Sequence, residues 1–129
     1  MEDCELKVFI SQPIKDKSYE QVENERQVII DRVKEYFKTN NLQFVKSHFS
    51  NDDFEISAQN HSLYLLAKCL EILSDCDIIV MATGWENARG CRIEYECARL
   101  YGIMVIFEDT KYIVDEKQFE VDRDPVTSD

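Results

Sequence analysis

Glycine and proline are scarce in this chain, with three Gly and two Pro among 129 residues. Neither a GxxxxGK[ST] loop nor a GxGxxG turn occurs, so the usual backbone cradles for a nucleotide's phosphates are missing. An NTP hydrolase or an ordinary dinucleotide site is correspondingly disfavoured. The five cysteines, Cys4, Cys69, Cys76, Cys91 and Cys97, are odd in number, contain no CxxC pair and are joined by only two histidines. They do not spell a zinc site. Cys69 and Cys97 lie among apolar residues, where a free thiol behaves as a small hydrophobe, and this fits a reducing compartment. The start, Met1-Glu2-Asp3, lacks the basic and apolar stretches of a signal peptide, and no apolar run reaches membrane-spanning length. A cytoplasmic location is expected. Positive charge is also short: 15 Lys and Arg face 26 Asp and Glu, a net charge of −11. Such a field repels nucleic-acid polymers and anionic membranes, although helix amides and one or two arginines can still hold a small anion. No metal or cofactor is called for.

What remains is an ordinary folding composition, 44% apolar, at a length that supports one core and not two. A single domain over residues 1–129 is expected. Leu6 to Ile10 reads as a first strand, ended by Ser11-Gln12-Pro13. From Tyr19 to Phe37, Val22, Ile29, Val33, Tyr36 and Phe37 recur at helical spacing, and the helix is expected to stop near Asn40-Asn41. Leu42 to Phe49 alternates weakly as a second strand, before a polar loop at Ser50-Asn51-Asp52-Asp53. Ser62 or Asn60 caps a second helix with a stripe of Leu63, Leu66, Leu70 and Leu73. Asp77 to Ala82 is a continuous apolar strand of the kind buried on both faces of a parallel sheet. A loop at Thr83 to Asn87 leads to a third helix, running to about Tyr101 and closed by Gly102, and Ile103 to Phe107 is the next strand. The C-terminal part, residues 108–129, is acidic; Tyr112 to Val114 and Phe119 to Val121 are candidate edge strands, and a loose tail begins at Asp122. This alternation predicts an α/β domain: a Rossmann-like, flavodoxin-like parallel sheet with helices on both faces.

Ligands of such sheets bind at the carboxyl ends of the strands. That edge receives Ser11 and Gln12, the segment before Ser62, and the loop from Thr83 to Gly90, which includes Gly84, Trp85, Asn87 and Gly90. On the third helix, at 100° per residue, Leu100, Ile93, Cys97, Tyr101 and Ala98 span one apolar arc. Glu94 falls inside it, between Tyr101 and Ala98. Glu96 lies opposite, with Arg89, Arg92 and Arg99, in ordinary surface spacing. A carboxylate turned inward a turn from the helix start needs a partner or a purpose, and can act as nucleophile or base. Asp75 and Asp77 sit at the amino end of their strand, away from the ligand edge.

The run from Gly84 through Ala98, GWENARGCRIEYECA, followed by Tyr101-Gly102-Ile103 and preceded far upstream by Val8-Phe9-Ile10-Ser11-Gln12-Pro13, resembles the nucleoside 2-deoxyribosyltransferase superfamily, and in particular its small bacterial and phage branch. The resemblance covers roughly Leu6 to Phe107. It implies that Glu94, four residues before Ala98 and eight before Gly102, attacks the anomeric carbon of a deoxyribonucleoside or its 5′-monophosphate. The base leaves, and a glycosyl ester forms until another base or water takes the sugar. Trp85 or Phe9 would then wall the base, and Ser11 and Gln12 would touch sugar or phosphate unless they serve only the turn. The resemblance also implies a homodimer or higher oligomer. Cys69 stands where the family carries the aspartate that protonates the departing base, Phe9 where it carries a tyrosine, and Ala88 where it carries an acid. His61 is a candidate for the missing acid or a surface cap. Arg89 is a candidate phosphate contact or a solvated side chain. A different class of function fits the same residues: a module that binds a nucleotide or an ADP-ribose-like metabolite without turnover.

Overall fold

The computed structural model describes residues 5–49 and 53–116. Cys4, the expected loop residues Ser50 to Asp52, the expected strand at Phe119 to Val121 and the expected tail from Asp122 lie outside them.

Strand β1, Leu6–Ser11, places Val8 and Ile10 on one face of the sheet and Phe9 and Ser11 on the other, because successive side chains alternate. Helix α1 spans Tyr19–Phe37, as its apolar spacing predicts. Ser18 caps it by accepting from the Gln21 amide, and Lys38, in a left-handed conformation at φ 54°, ends it short of Asn40. Strand β2 is Leu42–Phe44 only. The predicted remainder, Val45 to Phe49, is not strand: the Val45 amide still donates to the Val8 carbonyl at 3.0 Å, and beyond it the chain takes other partners. The Arg26 guanidinium donates to the Val45 carbonyl (2.7 Å) and the Ser47 hydroxyl (3.1 Å), and that hydroxyl donates to the Ile10 carbonyl (2.7 Å).

Helix α2, His61–Leu73, is capped by Asn60, whose side chain accepts from the Leu63 amide at 2.9 Å. Its leucine stripe is only partly covered: Leu73 is buried, but Leu63 is 60% exposed. Strand β3, Ile78–Met81, is buried at every position. A single 3-10 turn, Trp85–Asn87, leads to helix α3, Arg89–Leu100. Gly102, at φ 81°, lets the chain reverse there, and the Ile103 amide donates back to the Ala98 carbonyl at 2.9 Å. Strands β4, Met104–Asp109, and β5, Tyr112–Asp115, follow.

The five strands lie in the order β2-β1-β3-β4-β5, the first four parallel and β5 antiparallel to β4. This is the expected flavodoxin-like α/β sheet. Val8, Ile10, Ile78, Val80 and Ile106 pack on Ile29 and Val33 of α1. Phe9, Ile79, Met81, Val105 and Phe107 form the opposite core with Leu73, Trp85, Tyr95 and Ala98. Connections leave β1 and β3 toward opposite faces, so a crevice opens where those two strands end side by side, at the Ser11 and Met81 pair.

The inward arc of α3 differs from the predicted one. Cys91, Glu94, Tyr95 and Ala98 are buried, whereas Ile93 is 38%, Leu100 63% and Tyr101 83% exposed. The helix is turned by about one residue's 100°. Tyr95 is held inward by its ring contacts with Trp85 (4.7 Å between centroids) and Phe107 (6.0 Å). Glu94 stays on the flank that the predicted and observed arcs share, and is buried. Among the described residues, no helix is long and apolar enough to cross a membrane.

Candidate active site

Ser11 is the last residue of β1 and Glu94 lies in the second turn of α3, so sheet and helix fix both against rotation. The Ser11 hydroxyl donates to Glu94 Oε1 at 2.6 Å, with both residues buried. Burial pushes the Glu94 carboxyl up from 4.5 to about 7, and the Ser11 hydrogen bond, which favours the ionised form, opposes this. The group is therefore poised to be either acid or base near neutrality, the range in which proton transfer and nucleophilic attack are both accessible.

Two thiols flank the carboxyl. Burial pushes Cys91 up to about 12, against the Ser11 hydrogen bond, with Glu94 adding to the rise. Cys69 also rises to about 12, chiefly by burial and then through Glu94 and Cys91. Its thiol donates to the Ser47 carbonyl at 3.8 Å. Cys69 thus stands beside Glu94 but holds its proton too tightly to deliver it readily. Among the described residues Cys69, Cys76, Cys91 and Cys97 are free thiols, and no group of three His, Cys, Asp or Glu is arranged to hold a metal.

The other expected site residues divide. Gln12 adjoins Ser11; its amide nitrogen donates to the Val22 carbonyl at 3.1 Å, while its Oε1 is buried without a partner. Trp85 Nε1 is likewise buried and unpartnered, its ring packed among Tyr95 and Phe107 in the core. An orphaned buried polar atom costs roughly 1–3 kcal/mol. Gly84, at φ 89°, brings its loop against the β1 loop, since a side-chain carbon there would lie 3.7 Å from Pro13 Cγ. Phe9 is fully buried beneath Ser11 and packs rather than lines an opening. Gly90 faces α2, where an added carbon would meet Leu66 at 3.9 Å. Asn87 is exposed, its amide closing the 3-10 turn on the Gly84 carbonyl.

His61, Arg89 and Arg92 are exposed, and Glu96 pairs with Arg99 on the surface. Asp75 pairs with Lys7 at 2.7 Å, and Asp77 accepts from the Lys7 amide at 2.9 Å, both at the amino edge of the sheet. Sequence reasoning overlooked His48, since a strand reading of Leu42 to Phe49 gave it no distinct position. Its ring stacks on Tyr19 at 4.4 Å, and its Nδ1 lies 3.2 Å from Glu23 Oε2. A histidine just after a short strand at the ligand edge was the available signal.

Comparison with known proteins agrees with this architecture. The chain is similar to the crystal structure of a conserved protein from Enterococcus faecalis V583, with a TM-score of 0.56 and 14% identity, over 81% of this chain and 65% of that one. That likeness concerns the fold, and the chain spans 65% of that protein's length. No curated protein matches. Residues 30–107, more than half of the chain and including β3, α3 and Glu94, match a domain of unknown function, DUF4406. The chain belongs to the DUF4406 family.

Proposed function

We propose that the chain breaks N-glycosidic bonds, in the manner of a nucleoside 2-deoxyribosyltransferase or a related hydrolase, on a nucleoside or its 5′-monophosphate. The observation that carries this reading is the buried Glu94 carboxyl, fixed by Ser11 at 2.6 Å on the carboxyl edge of a parallel sheet. In its ionised form Glu94 attacks the anomeric carbon; the C–N bond breaks and its electron pair leaves with the base. Water or a second base then displaces the carboxylate from the sugar. The spacing of Glu94, Ala98 and Gly102 adds support through the resemblance to that superfamily. Gln12 Oε1 and Trp85 Nε1, lacking partners among the described residues, leave polar capacity unused. The net charge of −11 argues for a small ligand over a nucleic-acid polymer or a membrane.

Incubation with deoxynucleosides and their monophosphates, followed by chromatography of free base, tests the proposal. Base release that disappears in Glu94→Gln supports it. A second reading, binding without turnover, is favoured by one observation: the Cys69 thiol beside Glu94 is pushed up to about 12 and does not replace a carboxylic acid as proton donor. Saturable binding with no base release, unchanged in Glu94→Gln, selects that reading. The expected homo-oligomer finds support in Leu63, Ile93 and Leu100, which leave the outer faces of α2 and α3 apolar and 38–63% exposed. Sedimentation of a Leu100→Glu variant as a smaller species than the parent protein tests it.

A further inference from the structure

Breaking the bond to a purine or pyrimidine leaves negative charge on the base, and a proton must arrive as the bond parts. The thiols beside Glu94 are poor donors, and His61 is an exposed residue at the start of α2. The segment that leaves β2 offers another group. Ser47 is fastened to β1 by its 2.7 Å bond to the Ile10 carbonyl, one residue before Ser11, and the Cys69 thiol donates to the Ser47 carbonyl. His48 follows directly, and each step along the chain is about 3.8 Å, so its backbone lies one residue from the rim that carries Ser11.

The ring is also prepared. One face is stacked on Tyr19 at 4.4 Å and 25°. Nδ1 faces Glu23 Oε2 at 3.2 Å, and since a carboxylate only accepts, the shared proton sits on Nδ1. The side chain is only 10% exposed, whereas Glu23 is 40% exposed. Nε2 makes no hydrogen bond to a described residue and is not among the sealed atoms of the interior. A histidine whose one nitrogen is held by a carboxylate and whose other is open is the usual arrangement of an acid-base group.

Resting on the glycosidic reading above, we infer that His48 is the general acid of this site and Glu23 its positioning residue. The His48 imidazolium gives its Nε2 proton to the leaving nitrogen as the C–N electron pair departs, and becomes neutral imidazole with Nδ1–H still on Glu23. In the second half, Nε2 takes a proton from water while the water oxygen bonds to the anomeric carbon and the Glu94 carboxylate leaves. The sum is nucleoside plus water giving sugar plus base, with His48 and Glu94 restored.

The test compares a natural deoxynucleoside with 4-nitrophenyl 2-deoxyriboside, whose leaving group departs without a proton. General acid catalysis contributes roughly 10²–10⁴-fold, so His48→Gln should slow base release by 100-fold or more and nitrophenolate release by less than about threefold. Glu23→Gln, a change on the half-exposed surface of α1, should lower base release by about tenfold and leave nitrophenolate release unchanged. Equal loss on both substrates in Glu23→Gln, or base release unchanged in His48→Gln, overturns the role of His48 and leaves the glycosidic reading standing. A parent protein that releases neither base nor nitrophenolate overturns both.

Discussion

Replacing Glu94 by Gln should stabilise the protein in alkaline solution and not in acid, and the size of the effect follows from the site. A carboxyl raised from 4.5 to about 7 binds its proton more tightly folded than unfolded. Its contribution is therefore fully present below pH 4.5, and is lost as pH rises through about 7. The difference corresponds to roughly 3 kcal/mol. Gln keeps the shape and can still accept from the Ser11 hydroxyl, but has no charge to bury. For a domain of this size, roughly 3 kcal/mol is on the order of 10 °C in melting temperature. Paired thermal melts of parent and variant from pH 5 to pH 8.5 measure it. The other titrating groups are common to both proteins, so they largely cancel in the difference. The two should melt together near pH 5 and separate by about 10 °C at pH 8.5. A gap that stays constant across that range would refute the burial argument, because it would mean that the ionisation of Glu94 is not linked to folding.

Other consequences concern its neighbours. Ser11→Ala removes the bond that favours the ionised carboxylate, so the rising limb of base release against pH should move to higher pH, measured on the best substrate found. Arg32 pairs with Glu108, which is 8% exposed and also accepts from the Thr83 amide and hydroxyl at 3.0 Å. Arg32→Met should destabilise by roughly 2 kcal/mol in urea denaturation, as an unpaired, largely buried charge remains; an unchanged midpoint would contradict this. Gly102→Ala meets no atom within 4 Å, so only the left-handed backbone resists it, and a loss of about 1 kcal/mol is expected.

Several elements were legible because a single segment carries its own signal. The α1 limits follow from the spacing of Val22, Ile29 and Val33, and β3 follows from an unbroken apolar run. The rotation of α3 was not legible: whether Tyr95 or Ile93 turns inward depends on Trp85 and Phe107, which come from different parts of the chain. Glu94 was nevertheless recoverable, since it lies in the overlap between the predicted and the observed arc. The Ser11 hydroxyl is legible as a candidate ligand contact or turn residue, but its bond to Glu94 is not, because no spacing relates residues 83 positions apart. The second strand was overextended for a similar reason, as weak alternation cannot reveal that Arg26 claims Val45 and Ser47.

The brevity of β2 reaches beyond register. At three residues, this outermost strand offers a neighbouring molecule little ladder to extend, and a sheet that ends so abruptly is a poor template for fibre growth. The same early departure from the sheet frees the Ser47 hydroxyl to donate to the Ile10 carbonyl and to accept from Arg26. Lengthening the strand to feed a longer ladder would therefore compete with the bonds that tie Ser47 to Ile10 and Arg26, so resistance to aggregation and the fastening of this segment depend on one turn of the chain.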